Sequence, residues 1–168
     1  MSEVLTRLRR QERSGGEWVV RAVVVVLAVA LVAVWWSGRT ARAELSAGQA
    51  ALEVATMRAE QITTYTAATL DEDQSWVAEG ATEAFAAEYA AANEPLREVI
   101  VGVGASARGE VLGAGVDVVD ADEVVVVLFV DQTVVQGTTG EPVTERNRVV
   151  LTMLQRDGEW LVDDLESR

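Results

Sequence analysis

Three regimes of hydrophobic patterning follow one another along this chain. The first is an unbroken apolar block. From Trp18 to Trp36 there are nineteen residues and one charge, Arg21. A helix of that length is roughly 28 Å long at 1.5 Å per residue, about the thickness of a hydrocarbon core. The block's nine Val and two Leu, at about −0.4 kcal/mol each, favour insertion by roughly 4 kcal/mol. Arg21 opposes this, but one turn from the end its stem can carry the guanidinium back to the headgroups. Trp18 at one end and Trp35 and Trp36 at the other stand at the interfaces that amphipathic rings prefer. The block therefore predicts a transmembrane helix over residues 18–37, with Trp18, Arg21, Trp35 and Trp36 as its anchor. Soluble cores rarely need a helix apolar all round over this length.

The second regime, residues 38–107, has a helical period. Leu45, Leu52, Ala55, Ala59 and Ile62 are spaced by 7, 3, 4 and 3, one stripe on a helix. No Pro stands between Trp36 and Tyr65, so the span can run straight into this helix. Thr69-Leu70-Asp71-Glu72 fits a capping box, with Glu72 reaching back to the cap. A second helix is expected through Trp76 and Val77. Gly80 interrupts it, and Thr82 can cap a continuation that carries Phe85 and Tyr89 at i, i+4. A further helix is expected from Asn93, with Pro95 in its first turn and Leu96, Ile100 and Val103 inward.

The third regime, residues 108–168, has a period of two. Val111, Val116 and Val118 mark a first strand, and Asp120–Asp122 a turn. Val124–Val130 is an unbroken apolar run, expected to be a central strand covered on both faces. A loop from Gln136 to Pro142 and a strand through Arg146–Arg156 follow. Asp157-Gly158 between two strand-like runs is a strong hairpin signal. A two-residue turn fixes the register: Arg156 faces Glu159, Gln155 faces Trp160, Leu154 faces Leu161, and Met153 faces Val162. Leu151, Met153, Trp160 and Val162 then share one face, expected under the helices. The fold class that follows is α+β: an N-terminal transmembrane helix, then about three helices packed on a curved, mostly antiparallel four-stranded sheet.

Charge adds a direction to this picture. Residues 1–21 hold five Arg against three Glu, a net of +2, so the rest of the chain carries −15 within the total of −13. A basic tail at residues 1–17, before the first span, is held in the cytoplasm, which puts the acidic domain outside it. That acidity repels phosphates and speaks against nucleic acid as a partner. Ala41-Arg42-Ala43 looks like a signal-peptide cleavage site, but two Trp end the apolar run and the site lies well beyond it. An uncleaved single-pass membrane protein is the expectation.

Candidate chemistry is sparse. There is no Cys and no His, and all fourteen basic residues are Arg. The commonest general base, the commonest metal ligand and thiol chemistry are thus missing. No phosphate loop, nucleophile elbow or metal-ligand spacing occurs. No catalytic residue, metal or cofactor is assigned. Asp71, Glu72 and Asp73, and Asp163, Asp164 and Glu166, form acidic clusters that read more simply as helix-terminal and chain-end charge. Asp131, closing the apolar run, is the one carboxylate placed to be buried, with strand-end solvation as the simpler reading. Trp76, Phe85, Tyr89, Phe129 and Trp160 either form the core or line a pocket between helices and sheet. If Val124–Val130 offers apolar side chains to both faces, a second copy can dock on the open sheet face to make a homodimer.

The order of several segments resembles the actinobacterial Mce-associated membrane proteins. The matching parts are the single N-terminal span with its basic tail, Thr64-Tyr65 leading to Thr69-Leu70-Asp71-Glu72-Asp73, and Phe85 with Glu88-Tyr89. They continue with Phe129-Val130-Asp131-Gln132-Thr133 and the closing Asp157-Gly158-Glu159-Trp160-Leu161-Val162-Asp163-Asp164-Leu165. Gln136 stands where that family would have Asn, and Gly80 is displaced from its usual place just before the Phe. The resemblance implies a cone of the nuclear-transport-factor-two and ketosteroid-isomerase shape, similar to the scaffold domain of type IV secretion systems. It implies a non-enzymatic accessory role in assembling Mce transporter subunits for lipid or sterol import at the cell membrane. The alternatives are a scaffold of a secretion or conjugation apparatus, and a small-molecule-binding or isomerase-like domain on the same cone.

Overall fold

A computed structural model describes residues 2–137 and 139–167, without the side chains of residues 2–17, Val19, Thr40 and Ala41. The side chains of the basic tail thus lie outside the described residues. Helix α1 runs Ser2–Thr63. It is followed by β1 (Tyr65–Thr66), the short helices α2 (Leu70–Asp73) and α3 (Val77–Gly80), and the long helix α4 (Glu83–Val103). Four strands complete the chain: β2 (Ser106–Val118), β3 (Glu123–Val135), β4 (Pro142–Arg156) and β5 (Glu159–Ser167). The result is α+β: an apolar N-terminal helix, a curled antiparallel half-barrel and short helices. By its contacts the chain forms two units, residues 1–42 and 43–168.

In the first unit the apolar block is helical, with a mean hydropathy of 2.3 over its most apolar window and none of that window buried. A core helix of the same composition would be covered, so this one is long and apolar enough to cross a membrane. Trp18, Arg21, Trp35 and Trp36 are all exposed on it. Arg39 places its guanidinium 4.7 Å from the centre of the Trp35 ring, one turn away.

In the second unit the sheet order is β1-β2-β3-β4-β5, antiparallel throughout. It has five strands rather than the expected four, because Tyr65 and Thr66 pair with Ala107 and Ser106 at the edge. The β4–β5 hairpin has the expected register, Arg156 opposite Glu159 through Met153 opposite Val162. Asp157 (φ 52°) and Gly158 (φ 88°) supply the two left-handed residues this turn needs. Breaks in register between Val111 and Gly113 and at Thr152/Met153 bend the sheet.

The core is the concave face of the sheet under α1. Val124, Val126, Leu128 and Val130 of β3, Leu151 and Met153 of β4, and Val162 of β5 are essentially inaccessible. Burying each such side chain stabilises by about 1.5–3 kcal/mol. The expected cover on both faces of β3 is absent. Burial alternates along the strand, and Phe129, on the convex face, is 55% exposed.

The helix stripe also differs from expectation. Leu45 is exposed, and the buried positions are Ala47, Ala51, Ala55 and Ala59, one every four residues. Small side chains let α1 lie close on the sheet. The approach is closest at Gly109, where an added Cβ would fall within bonding distance of the Thr63 hydroxyl.

Two local expectations are corrected. The capping box does not form. Thr69 makes no cap; its hydroxyl lies 2.9 Å from Asp73 Oδ2, which also accepts from the Thr66 backbone N–H at 2.9 Å. That carboxylate thus ties β1 to α2. Nor does a new helix start at Asn93, for α4 is continuous with Pro95 inside it. Ala91 and Pro95 are both exposed, so the carbonyl that Pro95 leaves unpaired faces water rather than core. Thr82 caps α4 as expected, accepting from the Phe85 N–H, and Gly104 (φ 63°) ends it.

Ala55→Leu is expected to destabilise the domain by about 1–3 kcal/mol through overpacking, read by urea denaturation of the detergent-solubilised chain. Gly158→Ala is expected to lower stability by about 1–2 kcal/mol through the left-handed backbone penalty, read in the same assay.

Candidate functional site

Four of the five aromatic residues expected in the core or a pocket belong to or pack against one core cluster, and Phe129 stands apart. Trp160 belongs to the core on the concave face. Trp76 packs beside it but faces Arg58, whose guanidinium carbon lies 5.4 Å from the ring centre. Arg58 Nη1 donates to Gln61 Oε1 at 2.9 Å, and Gly80 leaves the room in which the guanidinium sits. Phe85 and Tyr89 stack at 5.6 Å, and Tyr89 meets Trp76 edge-on at 5.9 Å. Only Phe85 and Tyr89 of the five line a cavity at the open end of the cone. Phe129, exposed on the far face of the sheet, has no part in core or cavity.

That cavity has a volume of about 550 Å³. It begins where α1 ends, at Ile62, and continues past Tyr65 of β1. The sheet contributes Val134 and Leu165, and α4 supplies the opposite wall through Leu96, Ile100 and Val103. The periodicity of α4 had identified Leu96, Ile100 and Val103 as inward. They do face the sheet, but across a gap, so Leu96 remains 55% exposed.

The polar groups at the cavity are few. Gln74, Asn93 and Gln136 bring side-chain amides, and Glu88 and Asp164 bring carboxylates. The Asn93 amide donates to the Tyr89 carbonyl at 2.9 Å, which leaves its side-chain oxygen as an acceptor. Burial pushes the Tyr89 hydroxyl above its ordinary pKa; burial, then the nearby Glu145 charge, does the same for Tyr65. Both phenols therefore stay protonated and able to donate at neutral pH.

Asp131 is not in the cavity. It lies opposite Glu110 and Arg146 on the convex face, with Arg146 Nε 3.7 Å from its carboxylate. The isomerase-like alternative, which needs a buried carboxylate in the pocket, gains nothing from it. The acidic clusters have structural partners: Asp71 pairs with Arg97, and Asp163 accepts from the Thr82 hydroxyl at 2.9 Å. Among the described residues, no group of three or more carboxylates is arranged to hold a metal ion.

No family model and no curated protein matches this chain. Solved structures do. The chain is similar to an IcmL-like type IV secretion system protein from Legionella pneumophila, with a TM-score of 0.58 and 15% identity, covering 70% of this chain and 88% of that one. It is also similar to the periplasmic domain of DotI, with a TM-score of 0.60 and 11% identity, covering 70% and 91%. At these identities the likeness is one of fold. It bears out the fold that the resemblance implied, one similar to a domain of type IV secretion systems. The finer resemblance to Mce-associated proteins has no counterpart among these matches.

Phe85→Ala is expected to cost about 3–5 kcal/mol as a large-to-small change in the core. Phe129→Ser, on the open face, is expected to stay within about 0.5 kcal/mol of the parent. Chemical denaturation of the two variants side by side checks the contrast; equal losses would place Phe129 in the core after all.

Proposed function

We propose that this chain is a non-enzymatic, single-pass scaffold subunit of an envelope assembly of the secretion type. Its basic tail is cytoplasmic and its acidic domain extracytoplasmic. The observation that carries the reading is the fold shared with two type IV secretion proteins over 88% and 91% of their chains. The uncovered apolar helix supports a membrane anchor, since nothing in the described residues packs on it. The sparse chemistry supports a binding rather than a catalytic role: Asp131 faces away from the cavity, and the chain has neither His nor Cys.

A second reading rests on the sequence. The order of Thr69–Asp73, Phe129–Thr133 and the closing Asp157–Leu165 segment favours an accessory subunit of an Mce-type lipid importer. The anatomy is the same and the partners differ.

The chain's lack of Cys makes its orientation directly measurable. Ser2→Cys and Ser167→Cys variants are expected to react oppositely with a membrane-impermeant maleimide on spheroplasts: Cys at 167 labelled, Cys at 2 protected until lysis. The tagged chain, crosslinked in cells and purified in mild detergent, is expected to bring down secretion-apparatus subunits. Recovery of lipid-import permease subunits instead would select the second reading, and recovery of the chain alone would sink both.

A further inference from the structure

The cavity under α4 has a chemistry that a scaffold role does not require. We infer that it is a binding site for a neutral, elongated apolar molecule bearing a hydroxyl or carbonyl at one end. Three observations carry this. The first is size. A volume of 550 Å³ falls within the about 300–1,000 Å³ of small-molecule sites. An α-helix about 10–12 Å across would fill it with about one turn, so it fits a single chain or a small ring system rather than a protein segment.

The second is the wall. Phe85, Leu96, Ile100, Val103, Val134 and Leu165 present apolar surface from three separate elements, α4, β3 and β5, around one open space. Elsewhere the same sheet face is filled to near-zero accessibility by α1. The unfilled end is therefore a local property of this site.

The third is charge. The lining includes two carboxylates, Glu88 and Asp164, both solvent-exposed, and no Arg. A fatty-acid carboxylate or a phosphate would find no counter-charge there and two like charges. The remaining polar groups are neutral: the Tyr65 and Tyr89 phenols and the amides of Gln74, Asn93 and Gln136. They match a neutral donor–acceptor end group.

The test uses the full chain in nanodiscs with a diazirine-bearing decanol as photoprobe. Arginine cleavage separates fragments 59–97 and 98–108, which between them hold the α4 wall, from the apolar block. Labelling of these two fragments is expected, reduced at least tenfold by excess 1-decanol and less than twofold by decanoate at neutral pH. Ala92 lines the cavity on the exposed side of α4, so Ala92→Trp should fill it and remove the α4 labelling. Labelling of residues 22–36 by probe dissolved in the bilayer should persist, as the internal control. Ala91→Trp, on the same helix but off the lining, should behave as the parent; loss of labelling there too would mean that distortion of α4, not filling, is responsible, and would overturn the inference. So would labelling confined to residues 22–36, equal competition by decanoate, or undiminished α4 labelling in Ala92→Trp. Failure of the photoprobe leaves the partner-capture experiment on the scaffold reading unaffected, so the two proposals fail separately.

Discussion

The close approach of α1 to the sheet is the constraint on which the domain depends. Ala47, Ala51, Ala55 and Ala59 have nothing beyond Cβ, so the helix can lie low on the sheet, and at its last residue, Thr63, it meets Gly109 of β2, where an added Cβ has no room. Val124, Val126, Leu128, Leu151 and Met153 form one core cluster with that Ala stripe and are essentially inaccessible. Bulk is displaced to the flanks, where Trp76, Phe85 and Trp160 close the sides. Larger residues on the Ala stripe would lift the helix and loosen every one of these contacts together.

The cavity follows from the same geometry. Tight cover ends at Thr63, whose hydroxyl bonds back to the Ala59 carbonyl at 2.7 Å and whose own carbonyl accepts from Gln132 at 2.9 Å. Beyond that point only α4 remains over the sheet, and α4 carries Leu, Ile and Val where α1 carries Ala. The space between it and Val134 and Leu165 is what is left.

The features legible in the sequence were those fixed by local chemistry. The Asp157-Gly158 turn set the β4–β5 register residue by residue, because a two-residue connection admits one pairing. Thr82 was identifiable as a cap because its hydroxyl needs only a backbone three residues on. The apolar block announced itself by length alone. What stayed hidden depended on distant partners. An unbroken run such as Val124–Val130 carries no period, so it does not say that Phe129 looks outward; only its pairing with Arg148 across to β4 decides that. The Ala stripe was partly misread because Leu45 offered a stronger hydrophobic signal than Ala47 or Ala51, and tight packing rewards small residues that hydropathy underrates. Pro95 suggested a helix start, and only its exposure lets α4 run through it.

The placement of the titratable groups bears on what the cone can do. Asp131, which closes the apolar run but lies within β3, is turned to the convex face and paired with Arg146. The carboxylates at the cavity, Glu88 and Asp164, are exposed at its solvent rim. The phenols inside are held protonated by burial. The cavity thus offers neutral donors and acceptors on its wall and carboxylates at its rim. A small neutral molecule seated between α4 and the sheet would touch both, so its binding is compatible with the proposed scaffold role.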